Sequence, residues 1–175
     1  MEGEARTGPA ALTALEAALD RLGRLVSWAS LGMVLVTAGV VAARYGLGAG
    51  SIAVQEAVAY LHATLFMLGA SYALLHDAHV RVDVLYRGWS PRVRAIVDLA
   101  GTALLLLPTC VFAFASSLRY VGESWRIREG SPETGGLPGV FLLKTLIPVM
   151  AVTLLLAGLT RAARAWLVLR QRSAR

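Results

Sequence analysis

Charge and cysteine are the scarcest things in this sequence. Charged residues make up 16% of its 175 residues, and cysteine occurs once. A single cysteine excludes an intramolecular disulfide. Cys110 lies inside an apolar run and reads as a small buried apolar side chain. Lysine also occurs once, as Lys144, beside 16 arginines. The net charge of +6 is therefore arginine, and most of it flanks apolar runs. That is a topology signal and not a nucleic-acid-binding face. Three histidines leave little material for a metal or haem site. Segments of about 10 residues with alternating polarity, which a transmembrane barrel requires, are missing.

What is abundant is apolar sequence. Hydrophobic residues reach 57%, above the roughly 45–50% of soluble domains. They form four runs: Leu25–Ala43, Ala57–Leu75, Leu99–Leu118 and Leu137–Thr160. His62 alone interrupts the second, and Lys144 alone interrupts the fourth. An apolar helix needs about 20 residues to cross the hydrocarbon layer. In lipid every backbone N–H and C=O must be satisfied within the segment, so the runs predict helices. The expected fold class is an all-α integral membrane protein with four transmembrane helices, at about 25–43, 57–75, 95–118 and 138–160. The N-terminus opens MEGEA, acid before base, and lacks a convincing small-residue cleavage site. The first run is expected to be a retained span and not a signal peptide.

Counting Lys and Arg between the runs sets the orientation. With both termini in the cytoplasm, 12 positive charges lie inside and 5 outside; the opposite orientation reverses this. The positive-inside rule favours N-in, C-in. Residues 1–24 are then a cytoplasmic segment, 25–165 the four-helix membrane domain, and 166–175 a basic cytoplasmic tail. In the first segment Leu12, Leu15, Leu19, Leu22 and Val26 recur at helical spacing, with Glu16, Asp20 and Arg24 on a different side. This predicts an amphipathic helix, lying on lipid or packed on a partner. Between spans 2 and 3, Val82, Leu85, Tyr86 and Trp89 follow the same periodicity and predict a short interfacial helix. Arg94 and Asp98 are four apart and suited to pair at the start of span 3.

Few residues invite chemistry. His76, Asp77 and His79 are ligand types, but zinc needs three or four ligands at suitable spacing, and a solvated loop accounts for them without metal. A bis-histidine haem within the bilayer would need histidines from two spans, and only His62 lies at membrane depth; a hydrogen bond to a neighbouring helix is expected instead. A self-sufficient proton-coupled transporter needs an ionisable group within a span. Glu56 and Asp98 sit at span edges, where charges reach water. Lys144 is the exception. Either span 4 starts near it, or it snorkels to the interface, or it pairs with an acid on the same membrane face, from Glu123, Glu129 and Glu133. Gly39, Gly69 with Ala73, Ala100 with Ala103, and Gly158 with Ala162 predict close helix approach.

Three stretches carry a resemblance: HVRVDV at 79–84, ESWRIREGSPETGGLPG at 123–139 and LLKTLIPV at 142–149. The most specific part is Ser124-Trp125, Glu129-x-Ser131, Gly136-Leu137-Pro138, Lys144 and Pro148. With the four-span layout, the chain resembles the small membrane subunit (DctQ type) of tripartite ATP-independent periplasmic (TRAP) transporters over most of residues 25–165. The resemblance implies no enzymatic activity and no cofactor. It implies a large multi-span permease subunit that carries the substrate and sodium sites, and a periplasmic solute-binding protein that delivers the substrate, often an organic acid. The small subunit would brace the scaffold in the inner membrane, in contact with lipids. Carried onto this chain, His79, Arg81 and Asp83 would shape the cytoplasmic turn between spans 2 and 3. Ser124, Trp125, Glu129 and Ser131 would shape the periplasmic end of span 3, and Lys144 and Pro148 the entry and bend of span 4. Glu129 is expected to pair with Lys144, and its loop is a candidate contact for the binding protein. The competing reading is a membrane anchor subunit of a respiratory redox enzyme.

Overall fold

A computed structural model describes residues 9–78 and 88–173. His79, Arg81, Asp83 and the interfacial helix expected around Val82–Tyr86 lie outside the described residues. Among those described, the chain is all-helical. It comprises α1 (Ala10–Leu47), α2 (Ile52–Leu75), α3 (Pro91–Arg126) and α4 (Val140–Ser173). Each is long and apolar enough to cross a membrane.

Local chemistry sets the helix ends. α1 stops at Gly48, whose φ of 64° is left-handed and whose N–H returns to the Ala43 carbonyl. α3 starts at Ser90-Pro91. The Ser90 hydroxyl accepts from the Val93 N–H at 3.4 Å, and Pro91 occupies the first turn, where no N–H is needed. Within α3 the turn Thr102–Leu106 widens to π geometry, with the Leu107 N–H on the Thr102 carbonyl. Pro108 follows directly. It has no N–H for the Leu104 carbonyl, and its ring would crowd that carbonyl in a tight α-turn; the wider turn relieves both.

α1 is one uninterrupted helix through residues 24 and 25. At about 1.5 Å per residue its 38 residues run for about 57 Å, nearly twice the roughly 30 Å of hydrocarbon. Its first turns pack on this chain's own α2 and α4. Glu16 and Asp20 are not on an outward polar side: each is about 15% exposed, drawn inward by Arg164 and His76. Arg164 grips Glu16 with two bonds of 2.8 Å, and Asp20 receives His76 Nε2 at 2.8 Å.

The helices line up in the order α1, α2, α4, α3. α4 is central, and α3 packs on α4 without substantial contact to α1 or α2. Small side chains fill the seams: Ser71 on α2, Ala151, Ala157 and Thr160 on α4, and Cys110, Ser117 and Ser124 on α3. Of the glycines expected at close approaches, Gly158 sits at a seam, Gly39 and Gly69 do not, and Gly23, not expected, does. A Cβ at Gly39 or Gly69 would meet nothing within 4 Å, whereas one at Gly23 would strike the Tyr72 side chain and one at Gly158 the Leu106 side chain. His62 makes no bond to a neighbouring helix; it is exposed and stacks on Phe66 one turn along α2, 6.2 Å between centroids. The outer faces of α1 and α3 stay apolar and uncovered, with Leu25, Trp28, Leu104 and Phe112 each 70% exposed or more.

Candidate functional site

The residues singled out at 124–148 converge where α3 ends and α4 begins. α3 closes in a Schellman turn: the Arg128 N–H returns to the Trp125 carbonyl at 3.3 Å and the Glu129 N–H to the Ser124 carbonyl at 3.0 Å. The position that glycine usually fills is Arg128, at φ 50°. Its guanidinium lies 5.6 Å from the Trp125 ring and 5.5 Å from the Phe141 ring, cation–π contacts that favour this strained backbone. The turn aims the Glu129 side chain back at α4.

There Lys144 Nζ donates to Glu129 Oε2 at 2.5 Å, 4.0 Å from the Tyr120 ring centroid. The hydrogen bond from the Lys144 ammonium holds the Glu129 carboxyl below its ordinary 4.5. α4 begins only at Val140, so residues 137–139 belong to the loop. Lys144 is therefore just over one turn into its helix and not in its middle. Trp125 Nε1 donates to Thr145 Oγ1 at 2.8 Å, and the Trp125 and Phe141 rings meet edge to face at 4.7 Å. Pro148 is buried inside α4. It lies four residues after Lys144, so it leaves the Lys144 carbonyl without its helical donor.

Ser131 does not join this cluster. Its hydroxyl donates to Glu56 on α2, and the second Glu56 oxygen accepts the Leu137 N–H at 2.6 Å. Glu56 is thus not an edge carboxylate that simply reaches water. A signal for this was present: residues 52–60 contain no base to pair with it along α2.

A second polar layer lies at the opposite end of the bundle. Arg161 donates to the Leu74 carbonyl at 2.8 Å and to Asp77, and stands 3.6 Å from Asp98. A cation on the last carbonyls of α2 complements that helix terminus. Asp77, at φ 54°, closes α2 as Arg128 closes α3, with the Ala78 N–H on the Ala73 carbonyl at 2.9 Å. His76 bonds Asp20 and tilts against the Tyr72 ring at 4.2 Å. Sequence reasoning placed these groups in a solvated loop and on separate faces. The bonds form only because α1, α2 and α4 end together.

Charge thus lies towards the two ends, where the described ion pairs gather, with uncharged sequence between. Among the described residues, this arrangement holds helices together. A comparison with curated proteins gives no match. The family model for the DctQ component of tripartite ATP-independent periplasmic transporters matches residues 33–168. With more than half of its length covered, this four-helix membrane chain belongs to the DctQ family, the small permease component of TRAP transporters.

Proposed function

We propose that this chain is a non-catalytic scaffold. It braces a large multi-span permease subunit while that subunit moves solute, an organic acid or a similar molecule, into the cell on a sodium gradient. The observation that carries this reading is the uncharged middle of all four spans. Leu25–Ala43, Ala57–Leu75, Leu99–Leu118 and Thr145–Thr160 hold no Asp, Glu, Lys or Arg. A chain that moved ions or protons alone would need such a group at depth. The open row of helices supports a partner, because the uncovered outer faces of α1 and α3 are broad enough to pack against further helices. The count of 12 positive charges against 5 supports both termini on the cytoplasmic side of a bacterial inner membrane. That places the loop at 127–139 in the periplasm, where a soluble solute-binding protein delivers its cargo. The family match leaves no reason to prefer a respiratory anchor, and His62, exposed on the outer side of α2, is poorly placed to share a haem within the bundle.

The test is reconstitution under an inward sodium gradient. Vesicles holding this chain alone should take up no organic acid when supplied with a loaded binding protein. Vesicles holding it with its co-purified large subunit should take up solute. Uptake by the chain alone would overturn the scaffold reading.

A further inference from the structure

The loop between α3 and α4 is tied down by a residue that neither the family's motifs nor the apolar pattern singles out. Glu56, in the second turn of α2, lies 75 residues before Ser131 and 81 before Leu137 in sequence. One carboxylate oxygen accepts the Ser131 hydroxyl proton, and the other accepts the Leu137 N–H at 2.6 Å. The loop then closes on itself. The Ser131 N–H reaches the Leu137 carbonyl at 2.9 Å, the Ser131 hydroxyl accepts the Glu133 N–H at 3.1 Å, and the Gly136 N–H reaches the Glu133 carbonyl at 3.0 Å. Gly136 fits flat against this knot: a Cβ there would strike Ser131 and come within 2.9 Å of Glu56. Pro132, Glu133, Thr134 and Gly135 are left exposed at the tip. A loop with this composition has many unfolded conformations, and two hydrogen bonds to one charged carboxylate select one of them before any partner arrives.

We propose that Glu56 is the positioning residue of a docking loop, presenting its tip in one preformed shape to the soluble solute-binding protein. This rests on the reading above, in which the loop faces the periplasm. Glutamine tests it well. Glu56→Gln keeps the size but offers one acceptor where two donors wait, and turns an NH₂ donor towards the other.

Two measurements separate the steps. The first is hydrogen exchange on the full chain purified with its large subunit. The Leu137 amide should exchange slowly in the wild type and at least about tenfold faster in Glu56→Gln, as expected for losing a hydrogen bond to a charged group. Ser131→Ala combined with Glu56→Gln should be no worse than Glu56→Gln alone. An unchanged Leu137 amide in Glu56→Gln would overturn the clamp whatever the protein's function. The second uses the binding protein that the wild-type complex captures from its host's periplasm, identified by mass spectrometry and then purified. Its half-saturating concentration for uptake should rise about tenfold in Glu56→Gln, with the maximal rate and the yield of large subunit unchanged. Gly136→Ala should behave alike. An unchanged half-saturation would overturn the docking role. So would loss of the large subunit, which would make Glu56 an assembly residue. If the wild-type complex captured no binding protein, the docking proposal and the functional reading beneath it would both fall, while the exchange result would still stand.

Discussion

Lys144 and Glu129 form the contact on which the α3–α4 junction turns. The acid's folded value lies below its ordinary 4.5 because the Lys144 ammonium bonds its charged form. A depressed folded value stabilises the protein above the unfolded value, and the contribution is lost as pH falls through the folded one. Thermal unfolding in mild detergent should therefore lose stability below about pH 4.5, and Glu129→Gln should flatten that part of the profile. Lys144→Met and Glu129→Gln should not add in the double variant, because each removes the same contact. If both single variants assembled and supported transport normally, the pair would have no role in function. Glycines give a second test at this scale. Gly23→Ala forces its Cβ against the Tyr72 side chain close to that residue's backbone and should cost about 1–3 kcal/mol. Gly39→Ala and Gly69→Ala meet nothing and should be neutral, or stabilising by about 0.5–1 kcal/mol. The same unfolding assay ranks all three.

At the scale of elements, the helix ends differ in how far they could be read. The apolar runs, Gly48 and Ser90-Pro91 announce their helices and caps because each is a local signal. Arg128 and Asp77 do not, because a left-handed residue that is not glycine carries no mark in sequence. What favours it is a contact made in space: the Trp125 and Phe141 rings for Arg128, and Arg161 for Asp77. This predicts an order. Arg128→Ala keeps the left-handed backbone and loses the ring contacts, so it should lower stability by about 0.5–1 kcal/mol. Arg128→Gly loses the contacts but relieves about 1 kcal/mol of backbone strain and should match or exceed the wild type. If alanine proved as stable as glycine in the unfolding assay, the turn would carry no strain. The π turn before Pro108 was half legible: the proline marks trouble in the helix without saying whether a kink or a wider turn resolves it.

For the whole molecule, periodicity and charge counting reach four spans, and motif order reaches the family. They do not reach the order α1, α2, α4, α3, because every span is apolar all round and no stripe names its neighbour. The polar layers were hidden for the same reason. Glu16 and Arg164 are 148 residues apart in sequence, and only the shared end of α1 and α4 brings them together. Lys144 and Glu129 were easier to connect, being 15 apart across one loop. Charge held at both ends with none between is what the proposed scaffold role requires. The most direct test is to recover this chain, tagged at its C-terminus, from native membranes in mild detergent, and to identify what comes with it and record the visible spectrum. A colourless complex with one large multi-span protein is the predicted result. A chain that arrives alone, or with coloured redox subunits, would contradict it.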